Sequence, residues 1–329
     1  MSEATPLLEV LDVTVTYDAG RGRRVHAVSG ASFRLLPGEA LGLVGESGCG
    51  KSSLARAVLQ LPPPDRGKVR FAGEDLGRLS GERLRRLRPR MQMIFQDSLA
   101  SLNPRRKVGE SVCDPLAIMG EGDRKERRSR AKEMLATVGL DPEATFHRRP
   151  HQLSGGQCQR ACIARALISK PELLVCDEPV SSLDVSVQAQ ILNLLERMRA
   201  LFKLSMLFIS HDLAVVKNVS DRIAVMYSGK LREIAPSSEL YGKPAHPYTA
   251  LLLSAVTSPS LPSFFESRDS ESAGGEPPSL FAPPAGCPFH SRCPGKREIC
   301  LEAEPPMRVV EPGREVACHF PLHTKKTPE

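Results

Sequence analysis

The sequence predicts an α/β chain with a mixed sheet, an inserted helical subdomain and a cysteine-rich C-terminal extension. Three observations carry this expectation. Short apolar runs, "ALGLVG" at 40–45, "ELLVCDEP" at 172–179 and "SMLFIS" at 205–210, have the length and composition of strands buried on both faces. Between Asp97 and Leu153 the period turns helical, with Ala131, Met134, Leu135 and Val138 at i, i+3, i+4 and i+7. Four of the nine cysteines gather at Cys287, Cys293, Cys300 and Cys318, beyond a stretch of Pro, Ser, Gly and Glu.

At 329 residues, 41% hydrophobic and 25% charged, the chain suits a sizeable core and about two domains. The opening "MSEATPLLEV" lacks a basic region followed by an apolar one, so a secretory signal is not expected. No apolar run approaches the roughly 18 residues that span a bilayer. The thiols are therefore expected to meet a reducing compartment, which keeps metal binding open for the cysteine cluster. The net charge of +7 comes partly from "RLRRLRPR" at 83–90 and "RKERRSR" at 124–130. Such runs suit a solvated basic face or contact with an anionic surface. No aromatic residues interleave with them as a base-stacking platform would need, so nucleic acid is not an expected partner.

In chain order, "LLEVLDVTVTY" at 7–17 alternates apolar and polar positions and reads as a strand. The strand at 40–45 leads into "GESGCGKS", Gly45 to Ser52, which satisfies G-x-x-x-x-G-K-[ST] between a strand and a helix. Glycines there let backbone N–H groups turn around phosphate oxygens, and the helix starting near Lys51 aims its positive end at them. Lys51 is expected to reach the β- and γ-phosphates and Ser52 to bind Mg²⁺. Gly45, Ser47, Gly48, Cys49, Gly50 and Ser53 complete the candidate phosphate-binding loop, with Cys49 a small filler.

Asp177 ends the run "LLVC" and suits Mg²⁺; Glu178, next along, can accept a proton from an attacking water. These features fit a kinase, a GTPase or an ATPase alike. "LSGGQ" at 153–157 opens a helix, so Ser154, Gly155, Gly156 and Gln157 form a second anion-binding nest, one more than a single nucleotide needs. "QAQILNLLERMRALF" at 188–202 reads as an amphipathic helix, and "DRIAVMYSGKLREIA" at 221–235 as a hairpin around Ser228 and Gly229. Residues from about 258 to 285 read as a linker by composition.

With a phosphate loop, Gln96 in "IFQD", "LSGGQ", "SSLD" ending at Asp184 and His211 in "ISHDL", the chain resembles the ATP-binding subunits of ABC transporters over roughly residues 7–240. The resemblance implies a P-loop ABC ATPase core at 1–240, with 97–153 as its helical subdomain. It also implies ATP and Mg²⁺ as ligands, a head-to-tail dimer, and a second nest completing the opposite subunit's site through Ser154, Gly155, Gly156, Gln157 and Asp184. Carried over residue by residue, Tyr17 stacks on adenine. Ser52, Gln96 and Asp177 hold Mg²⁺, Glu178 polarises the water and His211 positions it.

"QDSLASLNPRRKVGESV" and "AHPYTALLLSAV" look like the dipeptide and oligopeptide importer group. That implies a transport ATPase at the cytoplasmic face of the inner (cell) membrane, bound peripherally. Its partners would be a related ATPase chain, two permease subunits and a solute-binding protein. Import of nickel, glutathione or another small solute, and a soluble ABC ATPase outside transport, are the alternatives. The extension divides into 241–285 and a cysteine-rich segment at 286–321. Its cysteines are separated by five, six and seventeen residues, without the C-x₂-C knuckle typical of structural zinc. Reduced packing cysteines, zinc aided by His290 or His319, and a [4Fe–4S] cluster on four thiolates are all open; the importer resemblance points to the cluster.

Overall fold

The computed structural model describes residues 5–20, 22–257 and 278–323, so most of the expected linker lies outside the described residues. The strands are β1 (Leu8–Asp18), β2 (Arg24–Leu35), β3 (Ala40–Val44), β4 (Arg66–Phe71), β5 (Glu74–Asp75), β6 (Met91–Ile94), β7 (Leu173–Asp177) and β8 (Ser205–Ser210). They continue with β9 (Arg222–Tyr227), β10 (Lys230–Pro236), β11 (Arg308–Glu311) and β12 (Arg314–Val316). Contacts divide the chain into two compact units.

The first unit comprises residues up to Leu7, Leu35–Glu39 and Arg78–Ile209. In it β6, β7 and β8 run parallel, with Met91 opposite Leu173 and Leu173 opposite Ser205. Every residue of β7 and β8 is buried, which explains apolar runs without alternation. The helical stretch resolves into helices Val108–Met119, Arg124–Thr137 and Pro142–Phe146. Asp123 and Asp141 cap the second and third by accepting from backbone N–H groups, and Asp123 forms a reciprocal box with Glu126. Ala131, Met134, Leu135 and Val138 are all buried, as their spacing predicts.

The second unit comprises Leu8–Arg34, Ala40–Gly77 and the chain from Ser210 onward. One sheet has the order β2-β1-β4-β5, with β1–β4 and β4–β5 antiparallel. A second group starts with β3, parallel to β9 with Leu41 opposite Arg222. The hairpin β9–β10 turns at Ser228 and Gly229, both at positive φ, as expected for a tight two-residue turn. The extension adds to these strands, because β12 pairs with β10 and β11 with β12. Val316 and Ala317 are buried there.

Two buried polar clips fix the extension to β10. The Glu233 carboxylate, fully buried and shifted upward in pKa by that burial, accepts from the backbone N–H groups of Ala245 (2.9 Å) and His246 (2.8 Å). This orders the entry to the helix Pro247–Thr257. Glu304 accepts from Lys230 and, at 2.9 Å, from Arg232, a residue with no exposed surface.

Candidate functional site

The phosphate loop joins β3 to the helix Lys51–Val58. Its glycines answer to steric demands: a Cβ on Gly45 (φ 155°) would lie 2.1 Å from the Met226 carbonyl oxygen, and one on Gly50 (φ 105°) would lie 2.0 Å from that of Ala27. The loop is thus pressed against the backbone of two neighbouring strands. Lys51 is buried, and its ammonium donates to the carbonyls of Gly45 (2.8 Å) and Glu46 (2.9 Å). Cys49 is buried beside it; burial pushes its thiol pKa up against the opposing charge of Lys51. An un-ionised thiol agrees with a filler role. Ser52 and Ser53 occupy the first helical turn, half-buried, and Tyr17 is partly exposed near the end of β1. His211 is exposed just before Asp212, which caps the helix Leu213–Val219.

In the first unit, Asp177 is buried at the carboxyl end of β7. Glu178 follows with φ 47°, a strained value for a residue with a side chain, its N–H donating to the Ile209 carbonyl at 3.0 Å. That turn aims its carboxylate at Gln96, whose Nε2 donates to Oε2 at 3.2 Å. Gln96 and Glu178, expected to serve one reaction from 82 positions apart, are in contact. Ser154 caps the helix Gly155–Leu167 and exchanges hydrogen bonds with Gln157 in a capping box. Asp184 caps Val185–Phe202, and its pKa is lowered by hydrogen bonds from the Ser186 hydroxyl and the Val187 N–H.

The four C-terminal cysteines line one cavity of about 130 Å³, together with His246, His290, His319 and Phe289. Burial pushes the Cys293 thiol pKa up to about 11 and that of Cys318 to about 12, and the neighbouring thiols add to both shifts. Cys287 is raised by burial too, against the opposing charge of Arg232. Among the described residues no group of three or more His, Cys, Asp or Glu meets the geometry for holding one metal ion. Nearby, two nitrogens of the buried Arg232, Nε and one terminal nitrogen, lack partners among those residues. His246 Nδ1 accepts from the Tyr248 N–H at 3.0 Å, which puts the ring proton on Nε2, and burial lowers its pKa to about 3, so it is neutral.

Sequence reasoning missed Arg292 and Tyr248, which both grip Glu46 of the phosphate loop. They lie 246 and 202 positions from it, beyond any local pattern.

Comparison with known proteins places the chain among known families. The family pattern described as ABC transporter matches residues 28–181, and that of the oligopeptide/dipeptide transporter C-terminal region matches 232–300. The chain is 48% identical over 297 residues to the oligopeptide transport ATP-binding protein AppF of Bacillus subtilis, covering 90% of each. It is 46% identical to the oligopeptide transport ATP-binding protein OppF of Salmonella typhimurium, over 91% of this chain and 92% of that one. Among solved structures, the cassette MJ0796, a dimer in a post-hydrolysis state bound to ADP and Pi, matches with TM-score 0.64 and 29% identity, over 70% of this chain and 98% of that one. The chain belongs to the ABC transporter family, among the ATP-binding proteins that carry the oligopeptide/dipeptide C-terminal region.

Proposed function

We propose that this chain is the ATP-hydrolysing subunit that powers import of oligopeptides and dipeptides through a membrane ABC transporter. The observation that carries this is the joint presence, in one chain, of the cassette and the oligopeptide/dipeptide C-terminal region, with near full-length similarity to oligopeptide transport ATP-binding proteins. In this reading the loop Gly45–Ser53 and Lys51 hold the phosphates, and Tyr17 stacks on adenine. Ser52, Asp177 and Gln96 hold Mg²⁺; Glu178 polarises the attacking water and His211 positions it. The hydrogen bond between Gln96 and Glu178 supports that pairing of roles. Ser154, Gly155, Gly156, Gln157 and Asp184 serve the nucleotide of a partner ATPase subunit, a related chain.

Two permease subunits and a solute-binding protein complete the assembly, with this chain peripheral at the cytoplasmic face of the inner membrane. Among the described residues no helix is long and apolar enough to cross a membrane. The test is ATP-driven uptake of a labelled peptide by the assembled complex in proteoliposomes. Uptake should stop with Lys51→Ala, whereas uptake of Ni²⁺ or glutathione but no peptide would overturn the substrate class.

The reading extends to the extension, where Cys287, Cys293, Cys300 and Cys318 hold a [4Fe–4S] cluster. The donor set supports this: four thiols share one cavity, and the buried Arg232 nearby keeps two nitrogens without partners among the described residues, suited to an anion. When bound, the cluster would tie together the four short segments that carry these cysteines. Protein purified without oxygen should contain iron and sulfide at about four per chain, by the composition of such a cluster. Colourless protein with stoichiometric zinc would refute it.

A further inference from the structure

Glu46 stands second in the phosphate loop, a carboxylate at the point where the chain must accept a strongly anionic ligand. The structure holds it from three sides. Its carbonyl accepts from Lys51, its N–H donates to the Tyr248 hydroxyl at 3.0 Å, and both carboxylate oxygens accept from one terminal nitrogen of Arg292 at 2.9 and 3.0 Å. The Arg292 side chain is only 9% exposed and that of Glu46 30%, so the pair is largely shielded from water. The guanidinium also lies 5.8 Å from the ring centroids of both Tyr227 and Phe289, and donates to the Tyr227 hydroxyl at 3.4 Å. Tyr227, Tyr248 and Phe289 pack against one another with centroids 4.5 to 5.4 Å apart. Arg292 is therefore built into an aromatic socket, in the turn His290–Arg292 between the first two cysteines of the cluster.

We infer that Arg292 is a positioning residue for ATP binding: it neutralises Glu46 and fixes the start of the phosphate loop, so the C-terminal extension sets the loop's electrostatics. Both side-chain holders of Glu46 come from beyond residue 240, so the core expected at 1–240 contains neither. An unneutralised carboxylate in that loop repels the phosphates, most strongly at low ionic strength. The inference rests on the reading of Gly45–Ser52 as an ATP site.

The experiment titrates ATP, through a fluorescent ATP analogue, into the purified full chain and four variants at 50 and 500 mM salt. R292A should weaken binding roughly tenfold at low salt and much less at high salt, the expected scale for one uncompensated nearby charge. Arg292→Lys should retain most of the affinity. In R292A/E46Q the uncompensated charge is gone, so affinity should return to within about twofold of wild type and lose its extra salt dependence. Rescue by the second substitution cannot come from a variant that fails to fold. Wild-type affinity in R292A, or a loss that E46Q does not repair, would overturn the inference. Binding unchanged in K51A would instead overturn the ATP-site reading beneath it.

Discussion

Replacing Glu304 with alanine should destabilise the second unit more than any surface ion pair would suggest. Arg232, on β10, has no exposed side-chain surface, and its guanidinium reaches the Glu304 carboxylate at 2.9 Å, with Lys230 on the other oxygen. Two further nitrogens of Arg232 already lack partners among the described residues. Removing the carboxylate leaves a buried cation without that counter-charge, a change that costs about 3–5 kcal/mol in comparable sites. Because the Glu304 side chain is 32% exposed, water can enter its place, and the expected loss lies near the lower end, about 3 kcal/mol. For a unit of this size that is a fall in melting temperature of about 6–12 °C.

The pH dependence follows from the same contacts. Burial pushes the Glu304 pKa up, but the hydrogen bond from Lys230 and the charge of Arg232 outweigh it, and the net shift is below the ordinary 4.5. A depressed carboxylate pKa means the stabilisation is complete above 4.5 and is lost as pH falls through the folded-state value. Thermal unfolding at matched metal content should therefore show the gap between wild type and E304A narrowing as pH falls below 4.5. The double variant R232M/E304L removes both charges and should recover most of the loss. E304A melting within a degree of wild type at pH 7, or a double variant as unstable as E304A, would refute the reasoning.

Glu178→Gln keeps shape but loses the base, so turnover in the assembled transporter should fall by at least ~10²-fold while ATP still binds; near-normal hydrolysis would contradict the assigned role. Gly50→Ala places a methyl 2.0 Å from the Ala27 carbonyl oxygen, so the loop must shift and equilibrium ATP binding should be lost; wild-type affinity would show that the loop tolerates the shift. Ser154→Ala removes the cap of the helix Gly155–Leu167, which should cost about 1 kcal/mol in denaturant unfolding. It should also slow hydrolysis in the complex without changing ATP binding to the isolated chain, since the nest is assigned to the partner's nucleotide.

Much of the first unit is legible in the sequence because its strands are buried on both faces and end in polar residues. "LLVCD" and "SMLFIS" carry length, apolarity and boundary in one short run, and the strands Leu173–Asp177 and Ser205–Ser210 coincide with them. The phosphate loop is legible for a different reason: glycines and a lysine at fixed spacing satisfy a local requirement. β2 carries a weaker signal, because its alternation starts only after Gly30, at φ 72°. Least legible is the joint between extension and core. Arg292 with Glu46, and Glu304 with Arg232, pair across 246 and 72 positions, and nothing near either partner marks it. Proline-rich composition likewise conceals β11 and β12, whose ladder partner is the distant β10.

The pairing of β12 with β10 decides where this protein can be cut. A truncation after residue 240, the natural choice for isolating the cassette, would strip the partner from one side of a seven-residue strand whose central residues are buried. Its unpaired N–H and C=O groups would then be a template for another chain. It would also leave Arg232 without the Glu304 carboxylate and Glu46 without Arg292. A cassette trimmed in that way is expected to associate through the bared edge, so the shortest useful version of this protein runs at least through Cys318.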